Sequence, residues 1–271
     1  MIEEGKLSFV YCEGFHDVAF VAKVLRHVGD VAVNCNKVKD LPPVLSGLIS
    51  KAITDIEMDN IRVDKPLDIF MPNQVFVDQQ DHYLLIYSMG GKTRLEAAKQ
   101  NIERSKYLAR FFTQIRHCFV LDADYIGMDN GGMAQTLAYL STQLAAFLPQ
   151  GCAFDHNAQI HDSEYGKLSC FIIADQQNLE GTLEDVLETV IQCDKLAPSA
   201  TQFCNDAVAI YPDKPIARDV TKHQKAKLTT MAQAFHPGSS LAVAIANNQL
   251  IDHQQLINID CCQALADLLL L

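Results

Sequence analysis

Apolar and polar stretches alternate along this chain in the rhythm of a sheet covered by helices. Apolar runs of strand length recur at LSFVYC (7–12), YLLIYS (83–88), HCFVLDAD (117–124) and KLSCFIIAD (167–175). Helical stripes lie between them. In HDVAFVAKVLRHVG (16–29), apolar residues at 18, 21, 24, 25 and 28 share one helix face, and Gly29 would end the helix. TRLEAAKQNIERSKYLARFF (93–112) consists of strong helix formers, and GMAQTLAYLSTQLAAFL (132–148) and GTLEDVLETVIQC (181–193) continue the helical period. LPPVLSGLISKAITDIEM (41–58) reads as a helix with prolines near its start, and LDIFMPNQVFV (67–77) as an extended segment broken at Pro72. After Pro198 the pattern is helical to the end. Strand alternating with helix predicts an α/β fold with a mainly parallel central sheet flanked by helices. The expected division is an α/β domain over 1–195, with the less regular residues 30–80 as an insertion. A helical C-terminal extension over 196–271 packs on it.

Composition narrows the function classes. The 271 residues are 49% hydrophobic, enough for a sizeable core. No apolar stretch approaches the roughly 18 residues that span a bilayer. The start, MIEEGKLSF, lacks the basic and apolar regions of a signal peptide, so a cytoplasmic location is expected. Nine cysteines without a CxxC read as free thiols in a reducing compartment, and zinc spacing is lacking. A formal charge of −11, from 33 acidic and 22 basic residues, argues against gripping nucleic acid by charge alone. It leaves room for carboxylates that hold divalent cations.

In parallel sheets, ligands bind at the carboxyl ends of strands. FVLDAD (119–124) places Asp122 and Asp124 at such an end. YCEGFHD (11–17) places Glu13 at another, and Gly14 permits a tight turn into a helix with Asp17 in its first turn. Four carboxylates at two strand ends suit Mg²⁺, which takes oxygen ligands. Each acid also has a plainer reading: Glu13 as a helix cap, Asp17 as a solvated first-turn acid, DxD as a turn. Asp175 in FIIADQQ is a cap or a site residue. In GTLEDVL, Thr182 and Asp185 resemble a capping box. Glu184 then faces the centre, with Glu180 as its rival. MGGKT (89–93) is not a P-loop, because Ile86 stands where the first glycine is needed. It remains a glycine turn, Gly90 and Gly91, whose amides and Lys92 can approach a phosphate. KHQKAK (222–227), with Lys225 and Lys227, is a second basic stretch.

With Glu13 in YCEGFHD and Asp122 and Asp124 in VLDAD, the chain resembles the toprim family of primases, topoisomerases, recombination mediators and overcoming-lysogenization-defect nucleases. The added acid at Asp17 resembles the nuclease branch. SMGGKT, NLEGTLEDVL and KAKLTTMAQAFHPGSSLAVAIA look like a group of small bacterial toprim-related proteins. The resemblance covers residues 7 to about 195, and more weakly to about 250. It implies a toprim-like fold, Mg²⁺ or Mn²⁺ held by Glu13, Asp17, Asp122, Asp124 and a late glutamate near Glu184, and a nuclease acting on nucleic acid or nucleotide. Glu13 is the candidate general acid or base. Two ions about 4 Å apart would stabilise attacking and leaving oxygens. No tyrosine is assignable as a topoisomerase nucleophile. The contrasting expectation is a toprim-fold binding protein without turnover, working with a partner ATPase.

Overall fold

The computed structural model describes residues 5–31, 33–35, 37–54, 70–191, 194–247 and 250–271. Among them, seven strands form one sheet: β1 (Lys6–Cys12), β2 (Val33–Asn34), β3 (Gln74–Val77), β4 (His82–Ser88), β5 (Gln114–Asp122), β6 (Ile160–Ser163) and β7 (Gly166–Ile173). Their order is β2-β3-β4-β1-β5-β7-β6. The inner four, β4-β1-β5-β7, are all parallel, so they end on the same side as expected. β3, β2 and β6 are added antiparallel at the edges.

β1 lies in the middle of the parallel group and is buried along nearly its whole length. That is why its run is continuously apolar rather than alternating. Val10 and Cys12 face one core; Leu7, Phe9 and Tyr11 face the other. The helices are α1 (Phe15–His27), α2 (Pro43–Thr54), α3 (Glu96–Ser105), α4 (Met133–Gln143), α5 (Leu183–Val190), α6 (Ala197–Ile210), α7 (Pro215–Arg218), α8 (Val220–Gln233), α9 (Leu241–Ala246), α10 (His253–Ile257) and α11 (Asp260–Leu270). α2, α3 and α4 cover the Phe9 face through Leu45, Ile49, Ala98, Ile102, Leu137 and Leu140. α1 and α5 cover the Val10 face, and residues of α8 to α11, among them Leu228, Leu241, Leu256 and Leu265, complete the same core. Each fully buried Val, Leu or Phe there contributes about 1.5–3 kcal/mol relative to exposure. The C-terminal helices therefore share a core with the sheet.

Three elements differ from the sequence pattern. The helix expected over 93–112 is shorter, because α3 stops at Ser105. The Ser105 hydroxyl lies 2.6 Å from the Ile102 carbonyl and 3.0 Å from Nε2 of buried His117, and the chain continues in turns. α4 likewise stops at Gln143. β6 has no apolar run in IHDS; it is a half-exposed edge strand made by a tight hairpin with β7. In the region expected as an insertion, β2 and β3 widen the sheet beyond β4. The end of the 41–58 helix and the start of the 67–77 segment lie outside the described residues.

Candidate functional site

Backbone hydrogen bonds join the four parallel strand ends into one rim. The Glu13 amide donates to the Val120 carbonyl (3.2 Å), Met89 to Cys12 (2.9 Å), Ala123 to Ile173 (2.9 Å) and Gly181 to Asp124 (3.0 Å). Gly91 donates to the Glu13 carbonyl at 2.8 Å. It does so at φ +139°, a conformation L side chains rarely adopt, so the glycine turn positions Glu13. The amide expected to face a phosphate is thereby occupied.

Asp17 is the third residue of α1, and its Oδ2 accepts the Gly14 amide at 2.8 Å, half of a capping box whose other half glycine cannot supply. Asp17 is in the first turn as expected, but it is not the solvated acid of the plainer reading. Asp17 is only 6% exposed, and its Oδ1 has no hydrogen-bond partner. Glu13 Oε2 is also buried without a partner. Asp122 Oδ1 accepts the Leu183 amide at 2.9 Å, at the positive end of the α5 dipole.

These carboxylates press on one another. Burial and then the Glu13 charge push Asp17 up to about 7. Burial, then Asp17, Glu13 and Glu184, push Asp122 well above the usual carboxylate range. Burial and Asp124 raise Glu13, against a downward pull from Lys92 and Lys225.

Two lysines enter the cluster. Lys92 is buried, and its Nζ lies 2.9 Å from Asp124 Oδ2. It also donates to Thr136 Oγ1 (2.8 Å), the Asn130 carbonyl (3.2 Å) and the Ala123 carbonyl (3.4 Å). The sequence expectation turned Lys92 toward a substrate phosphate; the structure turns it inward, onto Asp124. Lys225 of α8 lies 3.1 Å from Glu184 Oε1, and His16 Nδ1 lies 3.7 Å from the same oxygen. Burial alone would raise Glu184, but His16 and Lys225 outweigh it and hold the carboxyl at about 2. Burial also works against the charge of Lys225, but Glu184, Asp122 and Asp17 together raise its pKa. Of the basic stretch on α8, Lys225 therefore reaches the acidic centre, while Lys227 pairs with Glu188 at 3.0 Å.

The remaining candidates separate by geometry. Glu180 Oε2 accepts the Ile126 amide at 2.7 Å and ties two loops together. Asp175 is exposed and caps its own loop through the Gln177 (2.9 Å) and Asn178 (2.8 Å) amides. Asp185 caps α5 by accepting the Thr182 amide at 2.8 Å. A Cβ on Gly181 would stand 2.7 Å from its Oδ2. Tyr125 and Gln224 also bond to Asp185, at 2.8 and 2.6 Å, fastening α8 to α5 beside the site. Tyr125, Thr136, His16 and Gln224 were not among the expected site residues. Only the contacts made in the fold identify them.

The donors gathered here are carboxylate oxygens, the type a hard divalent cation takes, and two of them are buried and unpartnered. Among the described residues, no group of three or more His, Cys, Asp or Glu side chains is placed to hold a metal ion. Also among them, no helix is long and apolar enough to cross a membrane.

Residues 8–269 match the model of a family described as "Protein of unknown function (DUF3226)". The chain belongs to this family. A search of curated proteins finds no match. Among solved structures, the chain is similar to a hypothetical protein from Pyrococcus horikoshii OT3, at 14% identity and a TM-score of 0.46, over 89% of this chain and 86% of that one.

Proposed function

We propose that the acidic centre binds Mg²⁺ or Mn²⁺ and that this protein is a metal-dependent phosphodiester or phosphotransfer enzyme, a toprim-type nuclease acting on nucleic acid. One observation carries the reading. Glu13 and Asp17 each bury a carboxylate oxygen without a partner, beside Asp122, in a site where burial and like charge disfavour ionisation. A hard cation relieves that repulsion at once. Glu13, Asp17 and Asp122 would hold it, with Asp124 and Glu184 joining as they leave their lysines. The carboxylates must close on the ion, because they are not yet grouped around one point.

When bound, the ion supplies charge stabilisation at the phosphoryl oxygens and an acidified water. The chain supplies the rest. When it is not bound to the ion, Glu13 can hold a proton at its carboxyl and deliver it to a leaving oxygen. Lys92 fixes Asp124. Lys225 and exposed Lys222 on α8 offer positive charge to the substrate's phosphates. The eight cysteines among the described residues are free, which supports a cytoplasmic, reducing setting.

The alternative is a non-catalytic toprim-fold protein that binds or regulates, working with a partner ATPase. It is favoured by the Lys92–Asp124 and Lys225–Glu184 pairs, which already neutralise two carboxylates. The test is incubation with single- and double-stranded DNA, RNA and nucleotides under Mg²⁺ or Mn²⁺, with a chelator control. Cleavage should need the metal, and Glu13→Gln should lower it about 10²–10⁴-fold. A wild-type protein that cuts nothing with either metal puts the binding reading ahead.

A further inference from the structure

The loops that carry the acids also carry large apolar side chains that the fold leaves in water. Phe15 is 63% exposed and lies two residues after Glu13. Ile126 is 68% exposed and lies two residues after Asp124. Leu179 is 50% exposed, in the loop between β7 and α5 that also holds Glu180. Isolated exposed apolar residues need no explanation. Here three of the four strand-end loops present at least one, on the same side of the sheet as the carboxylates.

Two of these residues are held in place. Ile126 and Leu179 sit on loops fastened to each other: the Ile126 amide donates to Glu180 Oε2 at 2.7 Å, and the Met133 amide to the Leu179 carbonyl at 2.8 Å. Leu179 has φ +56°, a left-handed conformation that costs a leucine energy while keeping its side chain in solvent. Phe15 is fixed differently, as the first residue of α1. Its neighbour His16 points to Glu184, and Asp17, two residues on, is buried in the acidic centre. Glu13 and Phe15 are two residues apart, within about 7 Å along the backbone. That is the reach between a phosphate and a base of the same strand.

We infer that this apolar rim stacks unpaired bases, with Phe15 as the principal platform, so that the strand presented to the acidic centre is single-stranded nucleic acid. This rests on the phosphodiester reading above and specifies its substrate. The chemistry is that of single-strand binding: an aromatic face for the base, apolar flanks, and cations for the backbone. The cations are Lys222 and Lys225 on α8. In a duplex, paired and stacked bases have no free face to offer Phe15.

The test is a single-stranded oligonucleotide carrying 2-aminopurine, compared with the same sequence as a blunt duplex. Ca²⁺ replaces Mg²⁺ so that binding is read without cleavage. Wild-type protein should quench the fluorescence of the single strand and bind it more tightly than the duplex. Phe15→Ala should weaken single-strand binding about tenfold and remove most of the quench, since stacking of one base is worth about 5- to 150-fold. Phe15→Tyr should restore both. Leu179→Ala should have a smaller effect in the same direction, and thermal melting should be unchanged by the Phe15 substitutions. Equal or tighter binding of the duplex, or single-strand binding indifferent to Phe15→Ala, overturns the inference. A cleavage assay in Mn²⁺ separates it from the reading beneath it. Quenching without cleavage overturns the enzyme reading and leaves stacking in place. Cleavage that ignores Phe15 and strandedness does the reverse.

Discussion

At the scale of residues, Asp17 shows what the acidic centre costs the fold. Its carboxyl is pushed up to about 7 by burial and by Glu13, from an ordinary 3.8. Between those values the folded protein holds a proton that the unfolded chain has released. The contribution of this group to stability therefore falls as pH rises from about 4 to about 7, and stays low above. Asp17→Asn removes the charge and keeps an oxygen for the Gly14 amide. In chelator, the variant should melt above wild type, and its advantage should be about 2 kcal/mol larger at pH 8 than at pH 5. Comparing variant with wild type at each pH cancels the buried histidines His82 and His117, which burial depresses to about 4 and about 3. An advantage independent of pH would mean that Asp17 is not under this strain.

At the scale of elements, two lysines that look alike in the sequence have different tasks. Lys92 leaves a glycine turn and is enclosed by acceptors from the β5–α4 region, one of them Thr136, 44 residues later. Lys225 stands on α8, partly open to water, with Glu184 as its partner. Lys92→Met leaves Asp124 and two carbonyls without their donor and should destabilise the fold by about 3 kcal/mol. Lys225→Met should shift the melting temperature less. It should instead weaken oligonucleotide binding and flatten its dependence on log salt by about one unit of slope. If Lys92→Met is the variant that flattens the salt dependence while melting normally, the sequence expectation of a phosphate-facing Lys92 was right and the inward geometry has no functional weight.

At the scale of the molecule, the sequence made visible what local pattern controls. The four parallel strands are apolar runs because they are buried on both faces, so their ends could be found. Glu13, Asp17, Asp122 and Asp124 could then be set on one side of the sheet. β6 was invisible because an edge strand with half-exposed polar residues carries no apolar run. The choice of Glu184 over Glu180 needed the fold, since only the loop geometry gives Glu180 to the Ile126 amide. The turn of Lys92 inward was hidden for the same reason: Gly-Gly-Lys-Thr fits a phosphate loop and an internal clamp equally well. The formal charge of −11 marked the chain as acidic but could not show that α8 brings Lys225 to the buried carboxylates.

The proposed function requires that Glu13, Asp17 and Asp122 bind a cation. Calorimetric titration of Mn²⁺ into the metal-free protein at pH 7.5 tests it most directly. Wild type should bind with saturable heat, and the Asp17→Asn, Asp122→Asn double variant should bind at least tenfold more weakly while melting no lower than wild type. Binding of equal affinity in wild type and double variant, or no binding by wild type, would contradict it.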